Sequence, residues 1–325
     1  MVENKIYSPE QPRRIDGDFE GKDIISISQF DRSSIDKILD ITSGIKGTSD
    51  KRTLRFLEDS FITLLMLEPS TRTWFSFSAA VQRCGGKVGA VNASMFLQIP
   101  QGEDFDNYVK GYGFNSDAIV IRHPQKNYAQ RAADNSTAPV INAGDGVGEH
   151  PTQALLDIFT LRKYKGRVDN LTGLLAGDML NGRTVHSLIQ ALSLYNANEI
   201  YLLSDKNLRL AGTDYNKLSS LGIKLHEIND ETQIPKGLDF WYWTRVQKER
   251  FEGAENPQDY KRFIITPEFL EKYAGKNTII MHPLPRNEEI DAAVDKDPRA
   301  VYFDQAANGM YVRMALLGLV LGRLR

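Results

Sequence analysis

Phe61-Ile62-Thr63-Leu64-Leu65-Met66-Leu67-Glu68-Pro69-Ser70-Thr71-Arg72-Thr73 starts as an apolar run and ends as a hydroxyl-rich turn carrying one guanidinium. An apolar run of this length, stopped by proline, predicts a buried strand. A helical stretch follows from near Trp74, with Phe75, Ala79 and Val81, and reaches Gly85-Gly86. Strand, turn and helix in that order form one α/β unit, and the pattern recurs along the chain. In the first half, strands are predicted at Phe61–Leu67, Lys87–Val91, Ala118–Ile121 and Pro139–Ile141. In the second half they are predicted at Thr172–Ala176, Glu199–Leu203, Lys224–Glu227, Phe240–Trp243 and Thr278–Met281. The expected fold is α/β with two domains, each a parallel sheet flanked by helices, joined by two interdomain helices. One joining helix is His150 to Tyr164, where Ala154, Leu155, Ile158 and Leu161 recur at helical spacing. The other is the apolar stretch Gly309 to Leu324, expected to dock back on the first domain. The expected domains are residues 1–150 completed by 306–325, and residues 151–305. Met1 to Gly21 reads as a loose arm.

The composition narrows the function classes. The chain has 325 residues, longer than one core usually grows, which agrees with two domains. A net charge of -2 gives no global case for nucleic acid or an anionic membrane. No apolar run approaches the roughly 18 residues needed to span a bilayer. The N-terminus lacks a signal-peptide core. Cys84 is the only cysteine, so neither an internal disulfide nor a cysteine-rich metal site is expected, and a cytoplasmic setting fits.

The Ser70-Thr71-Arg72-Thr73 turn has two readings. A helix start offers free backbone N–H groups and a positive dipole end, and with three hydroxyls and an arginine it suits a phosphate. Serine and threonine there are also ordinary helix caps. The spacing of a Walker loop is absent. His150, at the start of a helix, is likewise either a functional donor or a packing residue.

Further motifs follow in order. They are Arg122-His123-Pro124, Asn142-Ala143-Gly144-Asp145-Gly146, Glu149-His150-Pro151-Thr152-Gln153-Ala154-Leu155-Leu156-Asp157, Gly177-Asp178, Gly182-Arg183-Thr184-Val185-His186-Ser187, Thr244-Arg245-Val246-Gln247-Lys248-Glu249-Arg250 and His282-Pro283-Leu284-Pro285-Arg286. Together with the first turn this series resembles the aspartate and ornithine carbamoyltransferases over nearly the whole chain, from about Gly21 onward. The resemblance implies a carbamoyl-phosphate-binding first domain and an acceptor-binding second domain. It places Ser70, Thr71, Arg72, Thr73 and Arg122 on the phosphate. It aims Thr73, Arg122 and His150 at the carbamoyl oxygen, where charge grows as the amine attacks. Gln153, one helical turn from His150, would accept from the carbamoyl NH2. The catalytic set is then Arg72, Thr73, Arg122 and His150, with no metal and no cofactor.

Arg183, Arg245 and Gln247 match the acceptor residues of the aspartate branch. A dicarboxylate needs cationic partners for both ends, and two arginines meet that need. The ornithine branch would be expected to carry a cysteine in the H-P-L-P region; here Leu284 stands between Pro283 and Pro285 and the only cysteine is elsewhere, so L-aspartate is the expected acceptor. The carbonyls of Pro283 and Leu284 would receive its amine. Glu68 and Arg250 match residues that bridge the domains on closure, although as bare residues they read as surface charges. His123, His186 and His282 are expected to be structural. Trp241, Tyr242 and Trp243 read as core rather than as an interface patch.

One loop departs from the family. The family carries a serine and then a lysine just before a Gly-Glu pair, and the lysine reaches a neighbouring subunit's phosphate. Here Leu97 and Gln101 hold those positions ahead of Gly102-Glu103, and Pro100 stiffens the loop. Three readings stay open: an active aspartate carbamoyltransferase with Lys87 or Lys110 replacing the missing cation, a carbamoyltransferase for another acidic acceptor or an altered donor, and a catalytically weak paralogue serving as a structural or regulatory partner. The partners implied are carbamoyl phosphate and L-aspartate, a homotrimer with shared sites, and a regulatory or pathway-enzyme chain.

Overall fold

Strands buried on both faces read as continuous apolar runs, as Phe61–Met66, Ala118–His123 and Phe240–Trp243 do here, and the described residues form nine strands in two parallel sheets with Lys87–Asn92 and Lys224–Ile228 at partly exposed edges. The structure is a computed structural model that describes residues 11–48, 54–92, 104–247 and 263–325. The elements in order are α1 (Arg32–Gly47), β1 (Phe61–Met66), α2 (Thr71–Arg83), β2 (Lys87–Asn92), α3 (Phe105–Gly113), β3 (Ala118–His123), α4 (Tyr128–Asn135) and β4 (Val140–Asp145). There follow α5 (Pro151–Lys165), β5 (Thr172–Ala176), α6 (Arg183–Leu192), β6 (Glu199–Leu203), α7 (Gly212–Ser219), β7 (Lys224–Ile228), β8 (Phe240–Trp243), α8 (Pro267–Tyr273), β9 (Ile279–Met281) and α9 (Tyr302–Val320). Short 3-10 turns complete the connections, among them Ile27–Gln29 and Ala292–Lys296.

The chain divides into two compact units, Met1–Thr152 with Gly309–Arg325, and Gln153–Asn308. In the first unit the strand order is β2-β1-β3-β4. Ile25, Leu65, Phe105, Ile119, Ile121 and Val140 pack one face of that sheet. In the second unit the order is β7-β6-β5-β8-β9. Trp241 and Trp243 point to one side of β8, where each meets the Phe269 ring edge-on at 5.8 and 5.9 Å. Tyr242 points to the other side, and all three are fully buried. The aromatic run is core, with the period of two that a strand requires.

Two expectations need correction. The arm is not loose throughout: Ile15 and Phe19 are buried, and the Ile15 N–H donates to the Gln29 carbonyl at 2.7 Å. Their side chains supply apolar area that a polar-looking segment concealed. The last helix starts at Tyr302, seven residues before the apolar stretch that announced it. Its first turns carry Gln305 and Asn308, which are buried and bonded to the buried Asp157 and Thr160.

Candidate active site

In an open parallel sheet, ligands bind beyond the carboxyl ends of the strands where the strand order reverses. In the first unit that point lies between β1 and β3, and their register pairs Met66 with Arg122. The Leu67 and Glu68 N–H groups both donate to the Arg122 carbonyl, at 2.8 and 3.1 Å. The turn is thereby tied to the end of β3. Ser70 is the N-cap of α2 but makes no side-chain cap bond; its hydroxyl donates to Thr73 Oγ1 at 2.9 Å. The opening N–H groups of α2 are therefore not capped by serine, which favours the anion reading of the turn over the capping one. Thr73 is buried and Thr71 and Arg72 are exposed. Among the described residues no hydrogen bond or ion pair engages the Arg72 side chain. The Arg122 guanidinium donates to the Ala143 carbonyl at 3.1 Å and pairs with Glu68 Oε2 at 2.8 Å. Glu68, expected at domain closure, thus neutralises an arginine expected on phosphate.

His150 ends a loop that is held at many points. Asp145 accepts from the Glu149 N–H at 2.8 Å and the Asn127 N–H at 3.0 Å. The Glu149 carboxylate accepts from the Ser26 hydroxyl at 2.6 Å and the Ile27 N–H at 2.8 Å. His150 is buried, with Nδ1 3.5 Å from Thr152 Oγ1. His123 stacks on Tyr128 at 3.8 Å, and burial lowers its pKa to about 4, so it is a neutral packing ring. Lys87 does not serve the anion turn of its own chain. It pairs with Phe61 at the opposite end of β1, about 20 Å away at the rise of a parallel strand. Lys110 is exposed in the last turn of α3. Leu97, Gln101 and Arg250 lie outside the described residues.

In the second unit the strand order reverses between β5 and β8, whose register pairs Ala176 with Trp243. Gly177 has a φ of +114°, and a Cβ there would sit 2.1 Å from the Thr244 carbonyl oxygen, so only glycine lets the two strand ends approach. The next residue, Asp178, is fully buried. Its carboxylate accepts from the Gln247 N–H at 3.1 Å and the Asn181 N–H at 2.9 Å. The Gln247 side chain closes the loop by donating to the Asn181 carbonyl at 2.7 Å. One buried carboxylate thus joins the segment carrying Arg245 and Gln247 to the turn before Arg183. Arg183 opens α6 and is itself buried. A pocket beside Arg245 is lined by Gly177, Thr244, Phe263, Asn287 and Glu289. Asp178 is a member of the Gly177-Asp178 motif, but its sequence signal gave it no role.

The turn after β9 presents Pro283 and Leu284. Leu284 has a φ of +52°, a region that costs a branched residue on the order of 1–3 kcal/mol. It is held there by its N–H, which donates to His282 Nδ1 at 2.8 Å. The other ring nitrogen lies 3.0 Å from Glu289 Oε1, and burial lowers the His282 pKa. A neutral imidazole accepting at Nδ1 and donating at Nε2 fits both bonds. His186 Nε2 lies 2.8 Å from the Met179 carbonyl. Both histidines hold turns, as expected.

The model for the aspartate/ornithine carbamoyltransferase carbamoyl-P binding domain matches residues 22–163, and that for the Asp/Orn binding domain matches residues 169–320. The chain is 41% identical over 307 residues to the aspartate carbamoyltransferase catalytic subunit of Thermococcus gammatolerans, covering 94% of this chain and 99% of that one. It is 42% identical over 307 residues to the multifunctional protein CAD of Squalus acanthias, covering 94% of this chain but only 14% of that much longer protein. Among solved structures it resembles aspartate transcarbamoylase from Trypanosoma cruzi in complex with carbamoyl phosphate, with a TM-score of 0.86, 34% identity and coverage of 93% and 97%. The catalytic subunit of M. jannaschii aspartate transcarbamoylase gives a TM-score of 0.82 at 37% identity, with coverage of 91% and 96%.

Proposed function

The chain belongs to the aspartate/ornithine carbamoyltransferase family, and from that premise we propose how its residues carry the reaction. It transfers the carbamoyl group of carbamoyl phosphate to the amine of L-aspartate, giving N-carbamoyl-L-aspartate and phosphate, a step of pyrimidine biosynthesis. The observation that carries this reading is the near-full-length similarity to aspartate carbamoyltransferase catalytic subunits, together with two arginine-bearing strand ends at switch points.

The phosphate is taken by the first unit. Ser70, Thr71, Arg72 and Thr73 supply hydroxyls, N–H groups and a guanidinium, and Arg122 turns from Glu68 to the dianion. Thr73, Arg122 and His150 donate to the carbonyl oxygen, whose charge grows as the aspartate amine attacks the carbonyl carbon. The carbon–oxygen bond to phosphate breaks, and the leaving phosphate takes the amine proton. The second unit holds the acceptor: Arg183, Arg245 and Gln247 take the carboxylates, and the Pro283 and Leu284 carbonyls accept from the amine. Gln153 accepts from the carbamoyl NH2. Glu68 and Arg250 act in domain closure.

A cytoplasmic homotrimer with shared sites is part of the proposal. It is supported by family membership, and for the compartment by a sequence that carries a single cysteine. The departed loop is the observation that favours a weak paralogue. Steady-state assays with carbamoyl phosphate and a panel of amino acids decide among the readings. Turnover with aspartate and none with ornithine is expected; the reverse would move the chain to the other branch. Gln101→Lys is expected to raise kcat/KM of the trimer, and no activity in either form would favour the partner role.

A further inference from the structure

The second unit buries a carboxylate that the reaction does not use directly. Asp157, on α5, is fully buried, and its carboxylate accepts from a residue one helical turn before it and from two residues far along the chain. Gln153 Nε2 donates to Oδ1 at 2.9 Å, Gln305 Nε2 donates to the same oxygen at 2.6 Å, and the Tyr242 hydroxyl donates to Oδ2 at 2.9 Å. Gln305 has its other end on the His282 N–H, which donates to Oε1 at 2.9 Å. A backbone N–H can only donate, so the Gln305 amide has one permitted orientation, and its NH2 must face residue 157. Asp157 must then accept there. An acceptor at Oδ1 also dictates which end of Gln153 faces it.

We propose that Asp157 is a positioning residue that sets the polarity of the donor subsite and anchors the amine-binding turn at once. By holding the NH2 of Gln153, it leaves the Gln153 carbonyl oxygen as the end offered to ligand. A carbonyl oxygen complements the NH2 of a carbamoyl group and gains nothing from the methyl of an acetyl group, so Asp157 selects carbamoyl phosphate over acetyl phosphate. Through Gln305 the same carboxylate holds the His282 N–H, from which the Pro283-Leu284 turn departs. This inference rests on the carbamoyl-transfer reading and assigns the origin of its donor selectivity.

The test uses the full-length protein and compares the carbamoyl phosphate KM with the Ki of acetyl phosphate as a competitive inhibitor. Asp157→Ala leaves space for water, which both donates and accepts and so imposes no orientation on Gln153. The preference for carbamoyl phosphate is expected to fall about three- to tenfold, the scale of one neutral hydrogen bond, and the aspartate KM is expected to rise. Asp157→Asn keeps an acceptor at Oδ1 and can donate to the Tyr242 oxygen, so it is expected to retain the preference. Gln305→Leu is expected to raise the aspartate KM while leaving donor preference intact, and it remains informative if Asp157→Ala does not fold. A role in folding alone would lower the melting temperature of these variants without moving either ratio, and that result overturns the inference. So does an unchanged aspartate KM in Gln305→Leu. Wild-type protein without carbamoyl transfer would overturn the functional reading itself, a result distinct from variants that transfer with unaltered selectivity.

Discussion

The two strand-end sites are built on the same topological rule but finished differently. In the first unit Arg72 is exposed with no partner among the described residues, Ser70 and Thr73 bond to each other, and Arg122 leans on Glu68. In the second unit the turns carrying Arg183, Arg245 and Gln247 are fastened by the buried Asp178, and Leu284 is held at positive φ by His282. The difference follows the ligands. A phosphate dianion brings enough charge to engage an exposed guanidinium that has no partner among the described residues, because charge-assisted bonds are strong and tolerant of approach. An amino acid carries a reactive amine whose attack angle matters, so its site gains from fixed geometry before binding. Under the proposed assignment of phosphate to the first unit and acceptor to the second, the first is arranged for affinity and the second for alignment.

The largest effect should come from removing the unpartnered cation. Arg72→Ala is expected to weaken carbamoyl phosphate binding about a hundredfold or more, measured by calorimetry, since a guanidinium can hold phosphate through two charge-assisted bonds. Unchanged affinity in a folded variant would break the comparison at its first term. Arg245→Ala should raise the aspartate KM roughly ten- to a hundredfold with a much smaller change in the carbamoyl phosphate KM. Asp178→Asn sharpens the contrast. It keeps one acceptor but loses the anionic partner of the Gln247 and Asn181 N–H groups, and the aspartate KM should rise about three- to tenfold. Equal losses for both substrates would mean that Asp178 supports the unit as a whole rather than the acceptor residues.

Much of this was legible in the sequence because parallel strands buried on both faces leave long apolar runs. Phe61–Met66, Thr172–Ala176, Glu199–Leu203 and Phe240–Trp243 stand where those runs predict them, within a residue. The errors cluster at strand ends. β3 continues through Arg122 and His123, and β4 through Asn142 and Asp145, because polar residues at the carboxyl edge keep an extended backbone. Motif resemblance singled out the candidate residues that the structure places at the two strand ends. Asp157, Tyr242 and Gln305 were not: Asp157 meets Tyr242 85 residues away and Gln305 148 residues away, and no local pattern records such pairs. The same limit hid the Glu68–Arg122 pair and the distance of Lys87 from the anion turn.

The smallest prediction concerns pH and rests on a buried carboxyl group of the first unit. Asp23 precedes the segment that runs beside β4, where the Ile24 N–H donates to the Val140 carbonyl at 2.8 Å and the Asn142 N–H donates to the Ile24 carbonyl at 2.8 Å. That segment carries Ser26 and Ile27, the partners of Glu149 next to His150. Burial raises the Asp23 pKa from 3.8 to about 6, with the Asp134 charge adding to the rise, while the Val140 N–H bond and Arg13 oppose it. A pKa higher in the folded state means that the folded protein holds the proton more tightly. The stabilisation is full below the unfolded value of 3.8 and is lost as pH rises through about 6. Above that pH the first unit carries a poorly solvated carboxylate. Asp23→Asn keeps an oxygen for the Val140 N–H, now 2.7 Å from Oδ1, and removes the charge. After allowance for partial solvation, it should stabilise the protein by roughly 1–2 kcal/mol at pH 8, a melting shift of a few degrees. The gain should shrink steadily toward pH 4, where the wild-type carboxyl is protonated. Melting curves of both forms between pH 4 and 8 measure it, and a gain that does not vary with pH would mean that Asp23 is already solvated in the folded chain.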